Sequence, residues 1–283
     1  MRLPTDGRLY FPGTVDLLSK PLLDGEIRVD PSRCVVLVPV HDYIEPGCEE
    51  GLAALEKLGH PVWRVYGCSA IDQARSRIAT EALAEGFEEL MWIDSDIGFN
   101  PNAVAMLRSH DLPIVSGIYA KKRSRALVCS LLPGTEKLVL GEGGGLMEIM
   151  YAAGGFVLTK RSVYEKIAEH EKLPVCNEQF GHSNVPYFLP LIVPHGEGHW
   201  YLGEDFSFCE RARRSGFSVY ADTRFRLEHF GKYGFTWEDA GSGRDRYGSY
   251  EFNFKPHDDA DADTHRGDRT ILMNASTQPT ENQ

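Results

Sequence analysis

Residues 90–93 (LMWI) form an uninterrupted apolar run that ends in two carboxylates, Asp94 and Asp96, set one residue apart. A run of this kind suits a strand covered on both faces. On an extended chain, residues i and i+2 project to the same side. Both acids therefore point past the strand end, where open α/β sheets take their ligands. Asn100-Pro101 reads as an N-cap followed by proline at the first helical position, so a helix is expected to start there at once. Strand, paired acids and helix together describe a metal–phosphate site. An isolated Asp-x-Asp is also an ordinary strand-end turn, so the rest of the chain has to decide.

Residues 34–40 (CVVLVPV) are a second doubly covered strand, with His41, Asp42 and Tyr43 in the loop beyond it. Leu52, Leu55 and Leu58, followed by Gly59, mark a helix over 49–58, and residues 62–66 a short strand. Residues 72–85 make the clearest helix, with Ile71, Ala74, Ile78 and Ala82 on one face and Gly86 as its stop. Its first turns carry Gln73, Arg75 and Arg77. With a further strand at 113–117, the order β-α-β-α-β-α-β implies a mostly parallel sheet with right-handed crossovers.

Beyond Tyr119 the pattern changes. Lys121, Lys122, Arg123 and Arg125 form a basic turn, and short strands at 126–132, 137–140 and 146–150 are expected to be antiparallel. Residues 153–158 (AGGFVL) form a strand whose two glycines leave room for something close to the backbone. A helix follows at 161–170. Residues 171–203 show no period and read as a long functional or mobile loop. Gly203-Glu204-Asp205 opens an amphipathic helix with Phe206, Cys209 and Ala212 on one face. A last strand follows at 217–221, then Glu228-His229. From about Gly241 the chain turns polar and reads as an extension that packs little.

Composition narrows the function classes. At 283 residues, with 42% hydrophobic and 25% charged residues, the chain is enzyme-sized and able to bury a full core. A net charge of −11 argues against broad nucleic-acid binding, although the basic turn keeps a local groove open. The six cysteines form no C-x-x-C pair, so buried free thiols are expected. No run nears the ~18 apolar residues of a membrane span, and the N-terminus lacks an apolar signal core, so a cytoplasmic location is expected.

The Asp-Ser-Asp strand end, the Gly-Gly-Phe strand, the Gly-Glu-Asp helix start and the late histidine fall in a telling order. Together with Val38-Pro39-Val40-His41 and Gln73-Ala74-Arg75, this order resembles the GT-A-fold glycosyltransferases. It is most similar to metal-dependent inverting ones, such as beta-1,4-galactosyltransferases and phage and bacterial enzymes. The resemblance implies an α/β, Rossmann-like GT-A domain over 33–237, with a mostly parallel sheet, helices on both faces and a mixed, antiparallel C-terminal part. A nucleotide-binding half would span 33–120 and an acceptor half 121–237, flanked by an irregular lead-in at 1–32 and a polar extension at 238–283.

By the same resemblance, Asp96 and His229 would ligate Mn²⁺ or Mg²⁺. Asp94 would reach the metal through water or hold the ribose or sugar. Pro39, Val40, His41, Asp42, Gln73, Arg75 and Ser95 would meet a UDP- or GDP-linked sugar donor. Asp205 would be the general base and Glu204 the group that orients the acceptor, with the two roles open to exchange. Gly155, Trp200, Tyr201 and Lys121 would serve the acceptor or a lid, and Lys122 and Arg123 could cover phosphates. The family's methionine ligand has no match here. The acceptor would be a hydroxyl of a glycan, lipid-linked sugar, protein or modified nucleobase.

Each of these residues also has an ordinary structural use: a solvated helix face for Gln73 and Arg75, core packing for Trp200, a helix-start acid pair for Glu204 and Asp205. A sugar-phosphate nucleotidyltransferase is a second reading, although such enzymes carry a Gly-rich basic loop after the first strand, which residues 39–43 lack. A non-catalytic nucleotide- or carbohydrate-binding protein is a third. His195 and His199 sit among glycines with no third ligand in sight, which argues against a zinc site. Asp259, Asp261 and Asp263 mimic a calcium loop but lack its Gly and Glu.

Overall fold

The computed structural model describes residues 30–122, 126–231, 233–240 and 249–253. The expectations for 1–29, Arg123, Arg125 and the acidic run at 258–263 lie outside these residues.

The first part alternates as its periodicity dictates: β1 (Cys34–Pro39), α1 (Pro46–Lys57), β2 (Val62–Val65), α2 (Ile71–Ala84) and β3 (Glu89–Ile93). Helix α1 starts a turn earlier than its leucines suggest, because Pro46 supplies a preset φ at the first helical position. β1 pairs parallel to both β2 and β3. Val35, Leu37, Leu90 and Trp92 pack into one hydrophobic layer, and Cys34, Val36, Val38, Met91 and Ile93 into the other. Period-two strands with both faces apolar thus sit between two layers of core.

The acids do not lead straight into a helix. A short strand, β4 (Ile97–Phe99), intervenes before α3 (Asn102–Ser109) and β5 (Ile114–Gly117). Oδ1 of Asn100 still accepts the N–H of Asn102 at 2.9 Å, so the expected capping residue works at one remove.

The chain continues through β6 (Cys129–Ser130), β7 (Lys137–Gly141), β8 (Leu146–Ile149), β9 (Tyr151–Ala152), β10 (Phe156–Lys160) and α4 (Arg161–Glu171). The main sheet has the order β2-β1-β3-β10-β5, completed by β13 (Val219–Asp222) and β8. β10 runs antiparallel to both β3 and β5, and β8 antiparallel to β13. The expected mostly parallel sheet is therefore mixed: β2, β1, β3, β5 and β13 point one way, β10 and β8 the other. The supposed nucleotide and acceptor halves share this one sheet.

Residues 171–203 are not one loop. β11 (Leu191–His195) and β12 (Gly198–Leu202) form a hairpin, with Leu191 and Val193 turned inward and Ile192 outward. His195 and His199 flank its turn. Helix α5 (Glu204–Arg214) follows directly. β14 (Leu227–Phe230) pairs with β4 and with β15 (Gly234–Phe235), so His229 lies within a strand rather than beyond one. After α6 (Trp237–Ala240), β16 (Ser249–Asn253) pairs antiparallel with β7, and Phe252 is 4% exposed. This part of the supposed loose extension is built into the fold. Among the described residues, no disulfide forms and no helix is long and apolar enough to cross a membrane.

Candidate functional site

The C-terminal end of β3, the start of β10 and the start of α5 meet at Gly154 and Gly155. The N–H of Asp94 donates to the carbonyl of Gly155 at 3.0 Å, and the N–H of Gly154 donates to Oδ2 of Asp205 at 3.1 Å. The close approach signalled by the two glycines is real. A Cβ on Gly154 would lie 2.8 Å from Nη2 of Arg75, and one on Gly155 would lie 2.3 Å from Tyr119 Oη and 2.9 Å from Asp94 Oδ2. Tyr119 is buried, and its hydroxyl accepts the N–H of Gly155 at 3.0 Å.

Arg75 does not reach outward as expected of a donor-binding group. It is 2% exposed, lies over the Trp92 ring, and donates from Nη2 to Oδ1 of Asp94 at 2.6 Å. Its Nε lies 3.5 Å from Oε1 of Glu204. Burial works against its charge, but Asp94, Glu204 and Asp205 outweigh that and raise its pKa. Burial also pushes the carboxyls of Glu204 and Asp205 above their ordinary values, offset in part by Arg75 for Glu204 and by the N–H of Phe206 for Asp205. Asp205 is held at the first turn of α5, with Oδ1 accepting that N–H at 2.7 Å. An ionised carboxylate fixed at a helix N-terminus, with its pKa raised, is a competent proton acceptor.

Asp96 lies two residues beyond Asp94, beside His229. The pairing of β4 with β14 sets His229 opposite Ile97, and the N–H of Phe230 donates to the carbonyl of Asp96 at 2.8 Å. Nδ1 of His229 is 2.8 Å from the carbonyl of Ala120. A carbonyl only accepts, so Nδ1 carries a hydrogen, and in the neutral ring Nε2 keeps its lone pair. That lone pair faces Oδ1 of Asp96 at 3.6 Å. Burial depresses the pKa of His229, which favours the neutral ring. A neutral histidine fixed by a backbone carbonyl, with its other nitrogen beside a carboxylate, could hold a metal ion, because metal-bound histidines commonly make such a supporting hydrogen bond. Among the described residues no group of three or more His, Cys, Asp or Glu is placed to hold a metal ion. A cation here would have two protein ligands and would complete its shell from ligand oxygens and water. On the other oxygen of Asp96 sits the ammonium of Lys122.

Several expected contacts fall elsewhere. Pro39 and Val40 are buried in the core, and the N–H and carbonyl of Val40 are bonded to Val65 and Cys68. They offer a nucleotide no free side-chain group. Gln73, two residues from Arg75 and thus about 200° around the helix, is exposed and lines a separate cavity of about 210 Å³ with Arg77, Asn177 and His182. His41 and Asp42 pair with each other at 2.7 Å in solvent. Lys121 is exposed, and its neighbour Lys122, in the turn that follows, is half-buried with its ammonium on Asp96. Ser95 is half-buried, its carbonyl accepting the N–H of Glu45 at 2.8 Å. Trp200 packs against Tyr151 and Phe206, whereas Tyr201 is 66% exposed. Tyr119 was not foreseen, since an aromatic at the end of an apolar strand reads as core.

No protein-family model matches the chain, and no curated protein matches it by sequence. Among solved structures it is similar to the crystal structure of A197 from STIV. The identity is 15% and the TM-score 0.46, over 71% of this chain and 86% of that one. It is also similar to the crystal structure of a glycosyltransferase involved in the glycosylation of the major capsid of PBCV-1. There the identity is 15% and the TM-score 0.27, over 47% of this chain and 62% of that one.

Proposed function

We propose that the chain is a metal-dependent glycosyltransferase of GT-A type, moving a sugar from a UDP- or GDP-linked donor to an acceptor hydroxyl with inversion. What supports this reading most is the facing pair of Nε2 of His229 and Oδ1 of Asp96, 3.6 Å apart with the ring hydrogen committed to Ala120. In the neutral ring these two lone-pair atoms repel each other unless a proton or a metal cation lies between them. Asp96 and His229 are the proposed ligands of Mn²⁺ or Mg²⁺, with Asp94 reaching it through water; imidazole favours Mn²⁺. A bound divalent cation supplies charge neutralisation for the departing diphosphate.

The remaining chemistry belongs to the chain's own acids. Asp205 takes the acceptor's proton as the acceptor oxygen bonds to the anomeric carbon. The bond from that carbon to the diphosphate oxygen breaks, and its electron pair leaves with the diphosphate. Glu204, steadied by Arg75, orients the acceptor. Tyr201, exposed near the end of β12 and two residues before Gly203, is the proposed surface for an acceptor ring.

The test is a panel of UDP- and GDP-sugars with Mn²⁺ or Mg²⁺, read as thermal stabilisation and slow donor hydrolysis. A bound donor at about 100 times its Kd adds about 2.7 kcal/mol of stability. Expected is one donor that stabilises and is hydrolysed to nucleoside diphosphate only with the cation. Release of pyrophosphate would point to nucleotidyl transfer instead. Unchanged hydrolysis in Asp205→Asn would remove the proposed base.

A further inference from the structure

The ammonium of Lys122 makes an ion pair with Oδ2 of Asp96, while the other oxygen of the same carboxylate faces Nε2 of His229. Lys122 lies two residues after Ala120, which bridges to Leu127 and whose carbonyl is 2.8 Å from Nδ1 of His229. Its stem passes Gly231, where an added Cβ would lie 3.4 Å from Cδ of Lys122. The side chain of Lys122 is 31% exposed, so its end can swing outward without a change in the backbone. Asp96 therefore already holds one cation, on the residue proposed to hold another.

We propose that Lys122 is a resident counter-ion of the Asp96–His229 pair, displaced when a divalent cation binds and taken up by the diphosphate of the donor. This rests on the metal reading given under Proposed function. A divalent ion arriving alone on Oδ1 sets its charge beside the ammonium on Oδ2 of the same carboxylate, and the repulsion drives that ammonium outward with no fixed partner to receive it. Arriving with a nucleoside diphosphate, it gives that ammonium phosphate oxygens to pair with, as a flexible point charge does well. Cation and diphosphate should then each strengthen the binding of the other by the same factor.

The experiment measures Mn²⁺ binding to the full chain by electron paramagnetic resonance, at fixed pH and salt. It is run alone and with saturating uridine or guanosine diphosphate, for the parent, Lys122→Met and Asp96→Asn. Expected is that Lys122→Met binds Mn²⁺ alone about fivefold or more tighter than the parent and loses most of the enhancement by diphosphate. Lys122→Met with unchanged or weaker Mn²⁺ binding, or with the full enhancement retained, overturns the proposal. Asp96→Asn separates the two levels. If it loses Mn²⁺ while Lys122→Met behaves as the parent, only the counter-ion role fails. If it binds Mn²⁺ as the parent does, the metal reading fails with it.

Discussion

The N–H of Gly154 donates to Oδ2 of Asp205 across 3.1 Å, binding the start of α5 to the turn that leads into β10. One residue later, the carbonyl of Gly155 accepts the N–H of Asp94 at 3.0 Å. Acids from two distant stretches of sequence are thus tied to one dipeptide, and neither glycine has room for a side chain.

Gly155→Ala would place a Cβ 2.3 Å from Tyr119 Oη and 2.9 Å from Asp94 Oδ2. Neither the buried ring nor the strand end can yield easily, so the overpacking should cost about 1–3 kcal/mol. Displacing Asp94 should slow donor turnover by about 10²-fold. Gly145→Ala, with nothing within 4 Å of its added Cβ, is the control. Equal melting temperatures and rates for the two variants would show that Gly155 is not a close contact.

Arg75 is the buried charge against which Asp94 and Glu204 are balanced. Arg75→Met strands those acids, and breaking a buried pair from one side costs about 3–5 kcal/mol. Arg75→Lys keeps the charge but loses the planar fork that reaches two carboxylates at once. It should recover part of the stability in denaturant titrations but little of the activity. Full activity in Arg75→Lys would mean that charge alone suffices.

The raised carboxyls of Glu204 and Asp205 give stability and activity opposite pH dependences. Because the folded chain holds these protons more tightly than the unfolded chain, their contribution to stability is complete below the ordinary carboxylate values and is lost as pH rises through the raised ones. Glu204→Gln should therefore melt higher than the parent at neutral pH and lose that advantage near pH ~4. Activity runs the other way, falling as acid protonates Asp205, and Asp205→Asn should lower kcat by about 10²–10⁴-fold. A melting advantage of Glu204→Gln that grows toward acid pH would reverse the sign assigned to Glu204.

Phe252 tests the strand at the far end of the chain. It is 4% exposed on β16, paired opposite Leu138 of β7. Phe252→Ala should cost about 3–5 kcal/mol, measured by chemical denaturation. A change within error would mean that this strand contributes nothing to stability.

What the sequence discloses depends on range. β1, α2 and the Asp94–Asp96 strand end are set by local periodicity, and the Gly154–Gly155 approach by the absence of side chains. The placing of β10 between β3 and β5 is a long-range pairing that no local pattern specifies. The inward place of Lys122 rather than Lys121 depends on the turn that follows the Ala120–Leu127 bridge, which no local pattern specifies. Arg75 and Gln73 sit on one helical turn and look alike in sequence, yet point to a half-buried acid cluster and to solvent. The hairpin of β11 and β12 was hidden by its own brevity and by the Pro, Gly and His residues around it. Polar composition hid β16 in the same way, although Tyr250 and Phe252 alternate with polar residues.

The most direct measurement is anomalous diffraction at the manganese edge from crystals of the full chain soaked with Mn²⁺ and uridine or guanosine diphosphate. A single strong peak within bonding distance of both a carboxylate oxygen of Asp96 and Nε2 of His229 is the predicted result. A peak at neither residue, with the diphosphate bound elsewhere, would contradict the account.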